Sequence, residues 1–291
     1  MPEISIVTPV YNAYRYLTNT ITSVNSQGFS SYEWLICDDG STDDSPELLK
    51  RAAANNPRIH IFTQENSGVA VARNTCLKHV SGKYLMFLDS DDALAENALH
   101  TLYDQMAASD ADICIYAWYI HQFDDLFSYI FEKRETESTA EDRYRMILTD
   151  AYLCGGGYPW NKIWKVSAIE KNGAVPGFDA GISYMEDKLW TLERLDDMKK
   201  QRVIFYNEPL YHYYIRPDSL SHFNGLQDFN RKSENITQAL QFILDYIREN
   251  HPSVYPDACD MVKKQTEWLK AMIAQFLKTS FSPDSPSEEP S

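Results

Sequence analysis

Short apolar segments alternate with amphipathic helical segments over the first 121 residues of this 291-residue chain. Each apolar segment is rich in β-branched or aromatic residues and ends in polar ones, which is typical of buried strands. These segments are ISIVTPV, EWLICDD, RIHIFT, KYLMFLD and ADICIYAWY. The helical segments between them cover residues 14–26, 45–56, 68–80 and 95–109. The sequence therefore predicts an α/β fold of βαβ units, with a mainly parallel sheet and right-handed crossovers.

The alternation ends near residue 121, and the rest of the chain follows another pattern. A helix is predicted over residues 139–153, where a capping box begins it, and the Gly- and aromatic-rich loop CGGGYPWNKIWKV follows. A further helix is predicted over residues 184–196, and two strands are predicted around residues 207–209. Two amphipathic helices, broken near ENHPSVYP, are predicted between residues 228 and 279.

We therefore divide the chain into three parts. Residues 1–222 are predicted to form one domain, in which the break near residue 121 separates residues 1–121 from residues 122–222. Residues 223–280 form a C-terminal helical segment. Residues 281–291 are rich in Pro, Ser and Glu, a composition that cannot bury enough apolar surface to fold, so this tail is expected to be disordered.

Composition excludes several classes of protein. The formal net charge of −15 argues against a nucleic-acid partner, because binding to phosphates needs basic patches. The five cysteines have no C-x-x-C spacing, so neither a disulfide framework nor a zinc cage is expected, and Cys37 and Cys114 are predicted to be core residues. The N-terminus lacks a basic region before a long apolar stretch, and no run reaches the roughly 18–20 apolar residues of a membrane span. These features predict a cytoplasmic protein that contacts a membrane peripherally at most.

Polar residues mark the ends of four successive strands. They are TPVYN, DDGSTDDS, QENSG and DSDD, in chain order. The carboxyl ends of parallel strands meet at one edge of a sheet, which is where open α/β sheets bind their ligands. A single polar strand end is usually a solvated turn, but four at the same edge predict a binding site.

The DSDD segment places three carboxylates within four positions after a buried strand. Carboxylates this close raise one another's pKa and destabilise a fold unless a cation neutralises them or hydrogen-bond donors bind them. A turn with a helix N-cap is the alternative, yet one cap needs only one polar side chain. Oxygen ligands suit a hard divalent cation that bridges two phosphates, so we predict an Mg²⁺ or Mn²⁺ site here.

Three other residues at this edge have the chemistry of a nucleotide site. Tyr11 offers a ring face on which a base can stack, and its alternative is a packed aromatic. Asp39 offers an acceptor for a nucleobase N–H, and the alternative for Asp38 and Asp39 is an Asx turn. Arg73 lies one turn inside a helix and can hold a phosphate bidentately, with a surface salt bridge as its alternative.

The runs SIVTPVYNA, ICDDGSTDDS, QENSGVAVARN and YLMFLDSDDAL, in this order, resemble glycosyltransferase family 2. The resemblance is close over residues 4–102 and continues more loosely through YPWNKIWKV, SYMEDKLW and YHYYIRPDSLSH to residue 222, where it is similar to capsule and surface-polysaccharide members. It implies a GT-A fold with a Rossmann-like sheet. It also implies that residues 1–121 bind a nucleotide-sugar donor and that residues 122–222 carry the acceptor and catalytic side.

For the donor nucleotide, the resemblance implies a pocket built from the first three strand ends. Pro9 and Tyr11 would line this pocket. Asp39 would bind uracil, and Asn66 and Arg73 would approach the base and the diphosphate. These roles are carried over from the matching motifs, and each of them is an expectation for the structure.

For the metal, the resemblance implies that Asp89 and Asp91 are the D-x-D pair, with Asp91 the more direct ligand. Ser90 between them would belong to the nucleotide-sugar site. Asp92 matches a position that shapes the donor-sugar pocket. His222 is a further candidate ligand, although His212 and His222 are each expected to be packed or surface histidines before metal ligands.

For catalysis, the resemblance implies that Asp187 is the general base, with Glu186 beside it. The bottom-up alternative for this pair is a helix N-terminus whose dipole favours carboxylates. Arg216 would belong to a flexible loop that closes on the diphosphate. The family pattern often has Gly where Asp218 stands, a departure that bears on the geometry of this loop.

The implied reaction is inverting transfer of a hexosyl or N-acetylhexosaminyl group from a nucleotide sugar, expected to be a UDP-sugar, to a saccharide or lipid-linked acceptor. Trp160, Trp164 and Trp190 either stack on the acceptor or pack in the core, which is the commoner use of tryptophan.

Two other functions stay open for this chain: an inactive sugar-nucleotide-binding protein and a sugar-nucleotide pyrophosphorylase. The C-terminal helices are expected to pack on the domain or on a second subunit, with a membrane surface as the alternative.

Overall fold

Four strands from the first part of the chain form the parallel half of the sheet. The computed structural model describes residues 1–122, 125–129, 140–149, 156–182, 184–200, 202–216 and 225–280. The four strands are β1 (Ile4–Val10), β2 (Tyr32–Asp38), β3 (Ile59–Thr63) and β4 (Tyr84–Phe87). They lie in the order β3-β2-β1-β4, and every neighbouring pair is parallel. The predicted α/β fold with a parallel sheet is confirmed for this half.

Helices connect these strands as predicted. They are α1 (Tyr14–Asn25), α2 (Ser45–Asn55), α3 (Val69–Leu77) and α4 (Ala98–Ser109). Each faces the sheet through apolar side chains, such as Leu17 of α1 and Leu99 of α4, which are fully buried. Burial of these side chains removes apolar surface from water, which is the main force that holds helices against a sheet.

The second half of the sheet is mixed, where the sequence predicted mainly parallel pairing. Its strands are β5 (Ala93–Leu94), β6 (Ile113–Gln122), β7 (Asp125–Tyr129), β8 (Lys162–Lys165) and β9 (Val203–Tyr214). Within the described part of the chain the sheet continues β4-β8-β6-β9-β5, and β7 pairs with β6. β8 is antiparallel to both β4 and β6, β9 is parallel to β6, and β5 is antiparallel to β9.

The two strands predicted around residues 207–209 are one long strand, so that prediction is wrong. The register of β9 against β6 shifts between the pairs Tyr116–Tyr206 and Ala117–Pro209, which leaves two residues of β9 extra at this point. Pro209 has no N–H to donate to a sheet, so the shift falls where the proline interrupts the pairing. Beyond it β9 continues past β5, and this continuation brings its last residues to the DSDD segment.

The remaining helices cover the second half. They are α5 (Ala140–Thr149), the short α6 (Val166–Ile169), α7 (Glu186–Asp197), α8 (Gly225–Asn250) and α9 (Tyr255–Ser280), with a 3₁₀ turn (Pro252–Val254) between the last two. The two predicted C-terminal helices and their break are therefore confirmed. α9 packs against α5 and α8, and Arg145 Nε lies 3.0 Å from Asp257 Oδ2. The tail over residues 281–291 and the end of the helix predicted over residues 139–153 lie outside the described residues.

The core follows the sheet and includes the predicted cysteines. Cys37 and Cys114 are fully buried among apolar side chains, as predicted. Ile236 and Ile243 of α8 join the same core. In the ranges that the structure describes, no helix has the length and apolar character that crossing a bilayer requires.

Candidate active site

The loops after β1 and β2 are tied together by polar side chains. The Asn12 side chain accepts a hydrogen bond from the Thr42 N–H at 2.8 Å, and the Asn12 N–H donates to Ser41 Oγ at 3.0 Å. Asp43 accepts hydrogen bonds from the N–H groups of Tyr14 and Ser45. These bonds fix the loops after β1 and β2, and none of them involves the side chain of Tyr11.

Tyr11 is 51% exposed at the end of β1. The packed-aromatic alternative is therefore wrong, and a stacking role for this ring stays a prediction. Pro9 is buried within β1, two residues earlier. Asn66 is exposed, and its backbone N would lie only 2.8 Å from a Cβ added at Gly40, so the loops after β2 and β3 are in close contact.

Asp39 is buried and has hydrogen-bond partners on both carboxylate oxygens. Oδ1 accepts from the Gln64 side chain at 2.8 Å and from the Ser67 N–H at 2.9 Å, while Oδ2 accepts from the Gly68 N–H at 2.8 Å. Asp39 thus holds the loop that leads into α3, and its predicted contact with uracil stays a prediction. Asp38 Oδ1 accepts from the Ser41 N–H at 3.0 Å, three residues on, whereas the Asx turn that was the alternative closes on the residue two on.

The DSDD segment lies between β4 and β5, over α1. The Thr20 hydroxyl of α1 lies 2.9 Å from the Ser90 carbonyl and 2.7 Å from the Asp92 carbonyl, and it donates to them. The side chains of Asp89 and Asp91 are partly exposed, whereas Asp92 is buried. Two of the three carboxylates are therefore accessible to solvent, and the third belongs to the interior.

Asp92 binds the end of β9. The residue is only 1% exposed; its Oδ2 accepts from the Tyr211 hydroxyl at 2.8 Å and its Oδ1 from the Tyr214 N–H at 2.9 Å. The Tyr211 oxygen also accepts from the Asp89 N–H at 3.2 Å. Burial, and then the charges of Asp91 and Asp89, raise the pKa of Asp92 well above its ordinary value. Asp92 thus holds β9 against the carboxylate segment, and its predicted contact with the donor sugar stays a prediction.

Replacing Asp92 by Ala is expected to lower the free energy of unfolding by about 3 kcal/mol, because it leaves the buried Tyr211 hydroxyl and Tyr214 N–H without their acceptor. Urea denaturation followed by tryptophan fluorescence measures the change. Asp104→Ala, which removes an exposed carboxylate of α4, should change the stability by no more than about 0.5 kcal/mol. A loss in the Asp92 variant as small as that of this control would contradict the assigned role.

Arg73 of α3 links the carboxylate segment to α7. Its Nη2 lies 3.2 Å from Asp89 Oδ1 and its Nη1 lies 2.8 Å from Glu186 Oε1. The guanidinium lies over the ring of Phe178, 5.2 Å from its centroid. Arg73 is only 5% exposed, so the surface salt bridge that we weighed for it is wrong. Its Nε is buried without a hydrogen-bond partner, and its contact with a diphosphate stays a prediction.

The first turn of α7 carries Glu186 and Asp187. The helix follows Met185, which has a left-handed backbone with φ of 59°. Burial and the charge of Asp187 raise the pKa of Glu186 to about 7, although Arg73 opposes the shift. Burial also raises the pKa of Asp187 against the pull of Arg73, and Asp187 Oδ1 accepts from the Lys188 N–H at 2.7 Å. A partly exposed carboxylate with a raised pKa can accept a proton, which is what a general base requires.

Arg216 follows β9 and lies against Asp91 and Tyr16. Its Nε is 3.3 Å from Asp91 Oδ2, close enough for an ion pair although it lacks hydrogen-bond geometry. The guanidinium carbon lies 3.3 Å from the centroid of the Tyr16 ring, and the residue is 7% exposed. Nε and Nη1 of Arg216 are buried without hydrogen-bond partners. Asp218 and His222 lie outside the described residues.

The structure therefore brings Asp89, Asp91, Arg73, Glu186, Asp187 and Arg216 to one region, while Tyr11, Asp39 and Asn66 lie at the ends of β1, β2 and β3. Sequence reasoning missed Tyr16, Tyr211 and Tyr214. Tyr211 and Tyr214 stand in the run YHYYIR, whose alternation predicted a strand but not what the strand contacts.

The three tryptophans weighed as acceptor contacts are core residues. Trp160, Trp164 and Trp190 are all buried. His212 Nδ1 lies 2.8 Å from His121 Nε2, so it is a packed histidine, as expected. Within the described ranges, no group of three or more His, Cys, Asp or Glu side chains is arranged to hold a metal ion.

Comparisons with known proteins agree with this geometry. The family model for glycosyl transferase family 2 matches residues 5–173. Glycosyltransferase GlyA of Streptococcus pneumoniae is 30% identical over 267 residues, which are 87% of this chain but 36% of GlyA. Chondroitin synthase of Escherichia coli is 36% identical over 116 residues, which are 40% of this chain and 17% of the synthase. This chain thus spans about a third of GlyA and less of the synthase.

Among solved structures, Staphylococcus aureus TarS (residues 1–349) in complex with UDP has a TM-score of 0.61 with 22% identity, covering 82% of this chain and 65% of that chain. This likeness confirms the GT-A fold. The family model covers more than half of the chain, and its range contains the four strand-end motifs. The chain therefore belongs to glycosyltransferase family 2.

Proposed function

We propose that this protein is a metal-dependent inverting glycosyltransferase of surface-polysaccharide synthesis, and that it moves a hexosyl or N-acetylhexosaminyl group from a UDP-sugar to a hydroxyl of a saccharide or lipid-linked acceptor. One observation carries the proposal: Arg73 joins Asp89 to Glu186, which are 97 residues apart in the chain, so the DSDD segment and the first turn of α7 belong to one charged cluster. This supports a donor site at the DSDD segment with its general base, Asp187, in that first turn.

The donor side is supported by the strand ends of the first half. Tyr11 is exposed for stacking, and a chain of the same fold, TarS, was solved with UDP. Arg216 lies beside Asp91 with two buried nitrogens that have no hydrogen-bond partner, and a diphosphate oxygen would satisfy them. An acidic protein can bind a diphosphate only where such cations are placed locally.

The residues present fit a hard divalent cation that is held jointly with a substrate. Asp89 and Asp91 are partly exposed and stand two residues apart, so they would hold Mn²⁺ or Mg²⁺ together with the diphosphate. Magnesium is commonly bound in this way, by one or two carboxylates, substrate phosphates and water. Bound there, the ion would neutralise charge that gathers on the leaving diphosphate.

Asp187 supplies the base. It would take the proton from the acceptor hydroxyl while the oxygen attacks the anomeric carbon and the bond from that carbon to the diphosphate oxygen breaks on the opposite face. The proton ends on Asp187, and the electron pair leaves with UDP, whose charge Arg216 would stabilise. Glu186 is paired with Arg73 and so positions the guanidinium between the two carboxylate groups.

A saccharide acceptor is supported by one relative, a chondroitin synthase. An inactive nucleotide-sugar-binding protein remains the alternative, because motifs alone do not demonstrate turnover. A pyrophosphorylase is disfavoured by membership of family 2. Contact with a membrane or a second subunit through α8 and α9 stays a prediction.

UDP is expected to bind with a Kd of about 10–100 μM in the presence of Mn²⁺, and at least about tenfold more weakly after chelation with EDTA. Isothermal titration calorimetry measures both values. A panel of UDP-, GDP- and dTDP-sugars, followed by release of nucleoside diphosphate, then identifies the donor and shows turnover. Absence of nucleotide binding at saturating Mn²⁺ would overturn the proposal, and binding without turnover on any donor would support the inactive alternative.

A further inference from the structure

Three aromatic rings form a stack on one face of the second half of the sheet. The Trp160 ring centroid lies 5.1 Å from that of Tyr158 and 5.3 Å from that of Tyr213, with interplanar angles of 18° and 9°. Trp160 is buried, whereas Tyr158 and Tyr213 are partly exposed. We call these three residues the aromatic wall. Trp160 fills its centre, and the two tyrosines form its accessible rim.

The wall borders both the strand that binds Asp92 and the helix that carries Asp187. On one side Trp160 stacks on Tyr211 at 4.8 Å, and the Tyr211 hydroxyl donates to Asp92. On the other side the Gly157 carbonyl accepts from the Thr191 hydroxyl of α7 at 3.0 Å. A Cβ added at Gly157 would lie 2.6 Å from the Cα of Lys188, the residue after Asp187, so this loop touches the first turn of α7.

The loop that carries the wall is fixed from within by Lys162. This side chain is fully buried, and its Nζ donates to the carbonyls of Gly156 at 2.8 Å and Tyr158 at 2.6 Å and to Asn161 Oδ1 at 2.7 Å. Burying an ammonium group is costly unless each donor finds an acceptor. The hydrogen bond from Lys162 to the Tyr158 carbonyl fixes the backbone of this residue, as a preformed binding surface requires.

The same face of the sheet continues outward from the wall. Ile120 of β6 is paired with Tyr213 of β9 and with Phe127 of β7, so these three side chains share one face. Phe127 is 49% exposed. Tyr119 points to the opposite face, where it stacks on His212 at 4.8 Å. An apolar, aromatic surface thus leads on this face from the wall to β7.

The ligand that we expect at the aromatic wall is not the nucleotide. The predicted nucleotide residues stand at the ends of β1, β2 and β3, whereas the wall lies on β9 and the loop before β8. A molecule that gives a proton to Asp187 must approach beside α7, where the wall stands. Pyranose rings carry an apolar C–H face with hydroxyls around the rim, which matches tyrosine rings that combine an apolar face with a polar tip.

We propose that the aromatic wall is the acceptor subsite, and that the exposed parts of Tyr158 and Tyr213 bind the C–H face of a pyranose ring of a glycan acceptor. The inference rests on the proposed function for the role of Asp187. It adds the class of acceptor group that this site takes: a sugar ring, rather than the lipid portion of a lipid-linked acceptor.

The test uses three trisaccharides, chitotriose, maltotriose and cellotriose, as probes in saturation-transfer-difference NMR and calorimetry with UDP and Mn²⁺ present. At least one is expected to bind, and Tyr158→Leu and Tyr213→Leu should each weaken it by about 3- to 10-fold. Tyr119→Leu, on the opposite face of the sheet, is the matched control and should leave the affinity unchanged. Tyr213→Phe keeps the ring and should retain most of the affinity, which separates stacking from a folding defect.

Binding of no trisaccharide to the full chain, or equal binding to every variant, would overturn the inference. An equal loss in Tyr119→Leu would overturn it as well, because the effect would then be independent of the face. UDP affinity, measured in the same samples, should stay within about twofold of the native value in all variants. Trisaccharide binding without UDP binding would refute the proposed function and leave the saccharide site standing.

Discussion

Replacing Asp187 by Asn is expected to lower turnover by about 10³-fold, because the amide keeps the shape of the side chain but cannot accept the proton of the acceptor hydroxyl. UDP affinity should stay within about twofold, since Asp187 lies on α7 and not at the ends of the donor strands. Steady-state rates of UDP release and calorimetry on the same preparation measure the two quantities. Unchanged turnover would refute the role of base, and a large loss of UDP affinity would make Asp187 part of the donor site.

The pH dependence gives the same prediction a second readout. A base must be ionised, so the activity of the native enzyme should fall as the pH falls through the pKa of Asp187. Burial raises that pKa, and the acidic limb should therefore lie above the ordinary range of an aspartate. The residual activity of Asp187→Asn should lack this limb. Glu193→Gln, two turns along the same helix, is the matched control and should keep both the rate and the limb.

The parallel half of the sheet could be predicted from the sequence because its signals are local. Each strand of the parallel half is a short apolar run that ends in polar residues, and the edge where these runs end is fixed by their parallel pairing. The paired C-terminal helices are likewise features of consecutive residues. Local pattern is therefore enough to predict which sheet edge carries the site.

The partners of the carboxylates could not be predicted in this way. The hydrogen bonds from Tyr211 and Tyr214 to Asp92 join residues 119 and 122 positions apart. They depend on the mixed pairing of β9 with β6 and β5, for which the sequence has no periodic signal. Arg73 was predicted as a site residue, but its burial was not: a lone arginine in a helix is usually exposed, and only the tertiary structure supplies the two carboxylates that allow its burial.

Replacing Asp91 by Asn is expected to lower turnover by about 10³-fold or more, because it removes the negative charge that would hold the divalent cation against the diphosphate. The fold should tolerate the change. The Asp91 side chain is 36% exposed and its ion pair with Arg216 lacks hydrogen-bond geometry, so the loss of unfolding free energy should not exceed about 1 kcal/mol. Thermal unfolding and the rate of UDP release measure the two effects.

Titrations of UDP with and without Mn²⁺ separate a metal ligand from a residue that binds the nucleotide directly. Without metal, the variant should bind UDP at least as well as the native chain, because a carboxylate that repels the diphosphate is gone and Arg216, 3.3 Å from it, loses its competing partner. With metal, the native chain should gain about tenfold in affinity and the variant should gain nothing. Asp104→Asn, in which the altered carboxylate is exposed on α4, should behave as the native chain does. Full turnover of Asp91→Asn, or a gain on adding Mn²⁺ equal to that of the native chain, would refute the assignment of Asp91 as a ligand of the cation.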